Sequence, residues 1–354
     1  MNRVGIGVIG IGFMGFIHAS ICKELYNTEL VGVADTDKKR LDDACSRLNV
    51  KGYLDYHELL DRKDVEAVII ATPEDKHLEP TMAAAKTGKH ILLEKPIATT
   101  LDDADKIIEC ARNCGVKLMV GHTLRFEANY VKIWQGINSG ILGKVIMINT
   151  RRNGTYSEAK RFAGRVPVSL YLGVHDADVV LWYINNQPIR VYAENVEGRV
   201  FHEFGVPDFT KILIKFKNGA VASIECGWAL NDKWAGEKLP NEWPPMAGDL
   251  KVDVIGTDGS IHFSNIPPNL WCVDNNGWKI PVVDYVGSPF YNKLRGAWRE
   301  EIEYFAKVIT DDLQPIISGY EAKRALELIL AAEMSARLSR PVNLPLRAEQ
   351  LSKP

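Results

Sequence analysis

Two short stretches of the chain carry side chains that are suited to moving a proton on and off an alcohol. In the first, Glu94-Lys95-Pro96, a lysine ammonium can donate a hydrogen bond to a hydroxyl and stabilise the alkoxide that forms from it. The proline restricts the backbone of Lys95 to an extended or a cis geometry, which would aim the lysine side chain. The alternative is an ordinary solvated charge at a strand end.

The second stretch places Tyr171, His175 and Asp178 at intervals of four and three residues. In an α-helix such intervals bring side chains to one face, so the sequence predicts that the three share a face. Histidine is the most frequent general acid or base, and a tyrosine beside it would complete a proton-transfer pair. The alternative is a histidine satisfied within the core, because the residues that follow are strongly apolar.

Three glycines near the N-terminus predict a site for a dinucleotide. An apolar run over residues 4–9 leads into Gly10-Ile11-Gly12-Phe13-Met14-Gly15, and a helix-forming segment follows. In such a unit, Gly10 permits a tight turn, Gly12 lets a pyrophosphate approach the backbone, and Gly15 allows the helix to pack on the strand. The first helical turn, with Phe13 and Met14, adds N–H donors and a partial positive charge.

An acidic residue follows the glycines at the distance that ribose recognition requires. Asp35 ends the second predicted strand, where a carboxylate would bind the ribose hydroxyls of NAD and repel a 2′-phosphate. We therefore expect NAD as the cofactor, with NADP possible because Lys38, Lys39 and Arg40 follow closely. The alternative role for Asp35 is to cap the next helix.

Further candidates for the cofactor site stand where later strands end. Thr72 and Pro73 follow one predicted strand, and Glu94 with Lys95 ends the next. Ligands bind at the carboxyl edge of parallel sheets, so we expect these residues to line the cofactor. His77 is a candidate for the same edge of the sheet. Its alternative role is to cap the helix predicted at 78–87.

The elements that must position these residues change in type along the chain. Strands predicted at 29–34, 67–71, 90–94 and 116–120 alternate with helices, one of them capped by Thr100 and ending at 113, which predicts an α/β Rossmann fold with a doubly wound parallel sheet. Hairpin patterns at 210–228 and 251–263 predict an antiparallel sheet. We expect a dinucleotide-binding domain over 1–122 and an α+β domain over 123–354.

Composition narrows the function classes. The 354 residues carry a net charge of −2, which gives no field to attract nucleic acid or an anionic membrane. The apolar runs are shorter than a membrane span, and the N-terminus leads directly into the first strand, without room for a signal peptide. Six cysteines without a CxxC pair and scattered histidines predict a reduced cytoplasmic protein without a metal site.

Two groups of side chains bear on the substrate. A basic cluster precedes the histidine stretch and can hold a phosphate or nucleotide diphosphate, or can form a solvated face: Arg151, Arg152, Lys160, Arg161 and Arg165. Trp228, together with Trp234 and Trp243 in the irregular segment 231–248, can offer aromatic faces to a sugar or pack in a core or lid.

Taken together, the glycine fingerprint, Ala71-Thr72-Pro73, Glu94-Lys95-Pro96 and Gly173-Val174-His175-Asp176 resemble the Gfo/Idh/MocA oxidoreductases in order and spacing, over nearly the whole chain. The resemblance implies NAD(P)-dependent oxidation of a secondary hydroxyl of a sugar, cyclitol or sugar derivative, or reduction of the ketone. Lys95 corresponds to the family's lysine and His175 to its histidine, so both become the leading catalytic residues. The second domain would bind substrate and, through a large open antiparallel sheet, form a homodimer or homotetramer.

One position departs from the family pattern. Many members carry Asp four residues before the histidine, where this chain has Tyr171, which is bulkier and neutral. Tyr171 would then replace a hydrogen bond to the substrate, alter its placement, or mark the loss of dehydrogenase activity. Parts of the chain, including Arg152, are somewhat similar to UDP-N-acetylglucosamine 3-dehydrogenases. The alternative function is a dinucleotide-binding regulatory protein or sensor without turnover.

Overall fold

The computed structural model describes residues 3–162, 164–232, 248–265, 272–274, 277–279, 289–290 and 293–347. Trp234 and Trp243 lie outside this part of the chain. The chain groups into two compact units, one of Met1–Phe126 with Pro289–Leu326 and one of Glu127–Ser288 with Glu327–Pro354. Among the described helices, none combines the length and the apolar character that crossing a membrane requires.

The N-terminal part alternates strands and helices as predicted. Its elements are β1 (Val4–Ile9), α1 (Phe13–Glu24), β2 (Thr28–Ala34), α2 (Lys38–Leu48), β3 (Lys51–Tyr53), α3 (Tyr56–Leu60), β4 (Ala67–Ile70), α4 (Leu78–Lys86), β5 (His90–Glu94), α5 (Leu101–Asn113) and β6 (Leu118–Gly121). Local chemistry sets several helix starts: the Thr100 hydroxyl accepts the Asp103 N–H at 3.1 Å and caps α5, as the sequence predicts.

The six strands form one parallel sheet in the order β3-β2-β1-β4-β5-β6. The central strands β1 and β4 are buried along their whole length, as expected for strands that are covered on both faces. The chain order reverses between β1 and β4, and the crevice outside such a switch point is where these sheets bind ligands. The predicted doubly wound Rossmann sheet is confirmed.

The rest of the chain contributes the following elements: α6 (Ala128–Asn138), β7 (Val145–Thr155), α7 (Tyr156–Phe162), α8 (Val174–Ile184), β8 (Pro188–Val196), α9 (Arg199–Phe204), β9 (Phe209–Phe216), β10 (Val221–Leu230), β11 (Asp249–Gly256), β12 (Ser260–Ser264), β13 (Cys272–Asp274), β14 (Gly277–Lys279), β15 (Pro289–Phe290), β16 (Lys293–Leu294), α10 (Ala297–Thr310), α11 (Gly319–Leu338) and β17 (Val342–Asn343). Of these, α10 lies in the first unit and contacts α1 and β1.

The second unit is built on an open sheet with the strand order β12-β11-β7-β10-β9-β8-β17 in the described residues. Both predicted hairpins are confirmed: β9 pairs with β10 across a turn at Gly219, which has a φ of 93°, and β11 pairs with β12. The pair β7 and β10 is parallel, so the sheet is mixed rather than purely antiparallel. A hairpin pattern in the sequence predicts pairing only between consecutive strands. The strands β7 and β10 are separated in sequence by several other elements, so their pairing could not be predicted in this way.

Candidate functional site

The glycine turn has the shape that a dinucleotide needs. Gly10 has a φ of 85°, and a Cβ there would lie 2.7 Å from the Thr72 nitrogen. A Cβ on Gly15 would overlap the Gly10 carbonyl oxygen, so α1 approaches β1 as closely as it does only because Gly15 has no side chain. A Cβ on Gly12 would meet nothing within 4 Å. The backbone at Gly12 therefore faces open space, as required for a pyrophosphate at the start of α1, beside the half-buried Phe13 and Met14.

Asp35 braces this turn. Its Oδ2 accepts the Ile11 N–H at 2.8 Å, and its Oδ1 accepts the Asp37 N–H at 2.8 Å. The cap of α2 is Asp37, whose side chain accepts the Arg40 N–H, so the capping alternative for Asp35 is wrong. The exposed guanidinium of Arg40 lies 3.1 Å from Asp35 Oδ2, which places a cation next to the carboxylate that would meet the ribose.

His77 joins the ends of two neighbouring strands. It stands at the N-terminus of α4, but its side chain forms no capping hydrogen bond, so the capping interpretation is wrong. Its ring nitrogens instead lie 3.1 Å from the Thr72 carbonyl oxygen and 2.9 Å from the Pro96 carbonyl oxygen. Burial lowers the pKa of His77, although both carbonyl contacts oppose this effect. The imidazole thus ties the loop at Thr72-Pro73 to the segment that follows Lys95.

Glu94 and Lys95 lie where β5 ends. The Lys95–Pro96 peptide bond is cis, one of the two geometries that the sequence allows. Oε2 of Glu94 accepts the Lys95 N–H at 3.1 Å, and Oε1 lies 2.7 Å from Nε2 of His18 on α1. Burial opposes ionisation of Glu94, but the His18 hydrogen bond and the neighbouring Lys95 help to lower the pKa of Glu94. The carboxylate is therefore ionised and held on both oxygens.

The second unit carries the histidine stretch at a change of helix type. Residues Ser169–Gly173 form a π-helical turn that leads into α8, and such turns are frequent at functional sites. The α-helical interval from which we predicted a shared face therefore applies between His175 and Asp178 but not between Tyr171 and His175. Asp178 is buried, whereas His175 and Tyr171 are half-buried.

The Tyr171 ring belongs to an aromatic cluster. It stacks on Phe162 with a centroid distance of 4.3 Å and lies 6.2 Å from the ring of Trp228. Trp228 is 0% exposed and donates its indole N–H to the Pro207 carbonyl oxygen at 2.9 Å. Its ring faces are covered by core residues, which corrects the expectation that Trp228 offers a face to a sugar.

Arg152 lies beneath α8 rather than in a solvated cluster. Its Nε is 2.6 Å from Oδ2 of the fully buried Asp176, and its Nη2 donates to the Tyr130 hydroxyl at 2.8 Å. Burial raises the pKa of Asp176, and the Arg152 charge offsets only part of that effect. Burial likewise raises the pKa of Tyr130 to about 12. Because Asp176 is next to His175 in sequence, this buried pair anchors the first turn of α8.

Arg161 and Arg165 differ from Arg152 in being exposed. Their guanidinium carbons lie 5.0 Å and 5.4 Å from the centroid of the Phe162 ring. The pair therefore packs against the ring on which Tyr171 stacks.

The structure thus gathers the predicted cofactor residues at the carboxyl edge of the first sheet. Lys95 belongs to the first unit and His175, Tyr171 and Asp178 to the second. Two residues of the first unit were missed by sequence reasoning: His18, three positions after Gly15, and Glu301 on α10, both about 1% exposed. The position of His18 on the apolar face of α1 could have indicated a buried polar contact. The sequence around Glu301 contains no such indication.

Comparisons with known proteins agree with this geometry. Residues 4–122 match the model of an oxidoreductase family with an NAD-binding Rossmann fold, and residues 130–262 match the GFO/IDH/MocA C-terminal domain. A myo-inositol 2-dehydrogenase of Thermotoga maritima is 28% identical over 345 residues, which cover 96% of this chain and 98% of the relative. A scyllo-inositol 2-dehydrogenase (NAD(+)) of Bacillus subtilis is 25% identical over 354 residues and 98% of each chain.

Solved structures support the same assignment. The crystal structure of a probable dehydrogenase from Thermotoga maritima superposes with a TM-score of 0.81 at 26% identity, covering 96% of this chain and 99% of that one. The two family models span most of the chain, and the glycine turn has room for the cofactor that the first model describes. The chain therefore belongs to the Gfo/Idh/MocA family of oxidoreductases, and its N-terminal part is an NAD-binding Rossmann domain.

Proposed function

We propose that the protein oxidises a secondary hydroxyl of a cyclitol or pyranose-like sugar derivative with NAD, or reduces the corresponding ketone. The observation that carries the proposal is the placement of Lys95 directly after Glu94, a carboxylate that His18 fixes at the edge of the dinucleotide-binding sheet. The inositol dehydrogenases among the relatives support this class of substrate.

Two side chains carry the proton chemistry in this proposal. His175 takes the proton of the substrate hydroxyl as general base, and the Lys95 ammonium stabilises the alkoxide that forms. NAD, when bound, accepts the hydride. In the second unit, the buried pair of Arg152 and Asp176 holds the first turn of α8 in place and thereby orients His175. Asp178 and Tyr171 are proposed substrate contacts beside it.

The cofactor would lie across the turn from Gly10 to Gly15, with Asp35 on the adenosine ribose. Around it we place Phe13, Met14, Thr72, Pro73, His77 and Glu94. Asp35 favours NAD over NADP through repulsion of a 2′-phosphate. Arg40, which is already 3.1 Å from that carboxylate, reduces this preference by offering a cation to the phosphate.

The basic residues refine the proposed substrate class. Arg161 and Arg165 are both exposed and lie near Phe162, so an acidic or phosphorylated substituent would meet two guanidinium groups. We propose that a sugar carrying such a group is a better substrate than a neutral cyclitol. Arg161→Gln should then raise KM for an anionic substrate and leave KM for a neutral one unchanged.

We also propose that the protein self-associates through the open face of the second sheet. Met147, Leu213 and Val196 lie on this face and are exposed, Leu213 to 51%. The same face carries Arg151 and Glu225, paired across strands at 3.1 Å. An apolar and charge-paired surface of this kind is suited to a second copy of the chain. Sedimentation of the wild type and of a Leu213→Glu variant would measure the oligomer, which the variant should weaken.

The activity test mixes the protein with NAD or NADP and a panel of neutral cyclitols, hexoses, uronic acids, sugar phosphates and UDP-sugars. Reduction of the cofactor is followed by absorbance. Lys95→Met should remove most turnover on the active substrate while NAD still binds, because its ammonium stabilises the alkoxide rather than the cofactor. Lys86→Met, on the exposed side of α4, makes the same chemical change away from the site and should keep turnover.

Tyr171→Asp separates this proposal from a sensor without turnover. If the wild type binds NAD but reduces it with no member of the panel, and Tyr171→Asp acquires turnover, then the chain is a dinucleotide-binding sensor whose tyrosine replaces a needed carboxylate. Turnover by the wild type that is lost in Lys95→Met supports the dehydrogenase.

A further inference from the structure

Two buried side chains, His18 and Glu301, interact with the half-buried Glu94, the residue before Lys95. His18 lies on α1, Glu94 ends β5, and Glu301 lies on α10, a helix supplied from a distant part of the sequence. His18 and Glu301 are each about 1% exposed. The hydrogen bonds run from His18 Nε2 to Glu94 Oε1 at 2.7 Å, and from the Lys95 N–H to Glu94 Oε2 at 3.1 Å.

The two carboxyl groups have opposite charge states. Burial raises the pKa of Glu301 well above its ordinary value, and the negative charge of Glu94 raises it further. Glu94 is ionised, because the His18 hydrogen bond and the Lys95 charge help to outweigh the effect of its burial. When two carboxyl groups repel each other and only one has a partner that stabilises its charge, that one is ionised and the other keeps its proton.

We propose that His18 is a positioning residue for Lys95 and acts through Glu94. The imidazole N–H fixes one oxygen of the carboxylate and keeps it ionised, so that the other oxygen holds the Lys95 backbone and the charge faces the lysine ammonium. The inference rests on the proposed function only in its use of Lys95 as the alkoxide-stabilising group.

The groups that act on Glu94 come from several elements. They are His18 from α1, Lys95 from the end of β5, His77 from the start of α4 and Glu301 from α10. His77 is also affected by Glu74, which is buried in the loop before it. The His18 imidazole forms a hydrogen bond with one Glu94 oxygen, and the backbone N–H of Lys95 donates to the other. Loss of His18 removes one of these two hydrogen bonds and should therefore let the half-buried carboxylate take up a proton at neutral pH.

Infrared spectroscopy of the protein without added substrate tests this charge state directly. At neutral pH the carboxylic acid bands of the wild type should include one from Glu301, which Glu301→Gln removes. His18→Leu should add a band that the wild type lacks, which is the second band of this test, and the double variant with Glu94→Gln should lose that band again. His18→Gln, whose amide can also donate to Glu94, should resemble the wild type.

Kinetics on myo-inositol, or on the substrate that the panel identifies, supply the second measurement. His18→Leu should lower kcat at neutral pH by about tenfold or more while the affinity for NAD is retained. The deficit should shrink by about tenfold per pH unit as Glu94 ionises again. Cys22→Ala, which creates a packing defect one turn along the same buried face of α1, should show no such recovery with pH. If His18→Leu does not fold, His18→Asn, whose shorter amide does not reach Glu94, takes its place.

The possible results separate the two proposals. If Lys95→Met abolishes turnover but His18→Leu shows neither the second band nor the pH-dependent deficit, the positioning role of His18 is wrong and the proposed function stands. If Lys95→Met turns over like the wild type, the proposed function is wrong, and the second infrared band still decides whether His18 sets the charge of Glu94.

Discussion

Replacing Glu301 with glutamine should make the protein more stable, and the gain should grow with pH. The carboxyl group is buried on α10, and its Oε1 has no hydrogen-bond partner among the described residues. Burial and the nearby Glu94 charge raise its pKa well above the value that it has in the unfolded chain. The folded state therefore keeps the proton to a higher pH, and above the unfolded pKa of about 4.3 each rise in pH favours unfolding.

The size of the effect follows from this linkage. While the pH lies between the unfolded and folded pKa values, the wild type loses about 1.4 kcal/mol of unfolding free energy per pH unit through this one proton. Between about pH 5.5 and about pH 7 the advantage of Glu301→Gln should thus grow by about 2 kcal/mol. Glutamine keeps the shape of the protonated acid and cannot ionise. Urea unfolding at both pH values, followed by tryptophan fluorescence, measures the difference.

Glu300→Gln is the matched control, because it makes the same change one residue away on the exposed side of α10. Its effect on unfolding free energy should be small and independent of pH. A stability difference between Glu301→Gln and the wild type that stays constant over this pH range would refute the reasoning, since Glu301 would then hold its proton no more tightly in the folded state than in the unfolded chain.

Four further changes test other parts of the structure. Asp35→Ser should raise the ratio of NADP-dependent to NAD-dependent turnover, and an unchanged ratio would mean that Asp35 does not select the cofactor. Gly12→Val should abolish NAD binding in a fluorescence titration at little cost to thermal stability, because its side chain enters open space; Gly15→Ala should instead lower the unfolding temperature, because its Cβ overlaps the Gly10 carbonyl. Arg152→Met should cost about 3–5 kcal/mol of unfolding free energy by leaving the Asp176 carboxylate buried without its cation. Urea unfolding checks this value, and a double variant that also carries Asp176→Leu should recover part of it.

Local patterns in the sequence predicted the first sheet and its cofactor turn well. The bounds of α2 and α5 and the Thr100 cap follow from apolar periodicity and from hydrogen bonds within one helical turn. The three glycine roles also follow locally, because each depends on backbone within the same strand–turn–helix unit or on the adjacent strand. Here the local preferences and the final fold favour the same structure.

Other features depend on contacts that sequence patterns do not encode. His77 occupies the predicted N-terminal position of α4, but buried carbonyl groups of Thr72 and Pro96 compete successfully for its ring. Trp228 lies on the buried side of β10, in step with the alternation of the strand. This alternation does not show whether the side that carries Trp228 is covered by core residues or open to a sugar. The π-helical turn before α8 changes the spacing at Tyr171 without any change in composition.

The return of α10 to the first unit has a consequence for the order of events during synthesis. Ile302 and Phe305 are completely buried there, next to a parallel sheet whose strands all precede residue 122. The ribosome must add the segment Glu127–Ser288 of the second unit, and the residues up to 296, before it makes α10. This takes on the order of ten to thirty seconds at ordinary elongation rates. During that interval α10 does not yet shield the apolar side of α1 from solvent. A nascent chain arrested before residue 297 should therefore bind chaperones that recognise exposed apolar surface, and release from them should follow completion of α10.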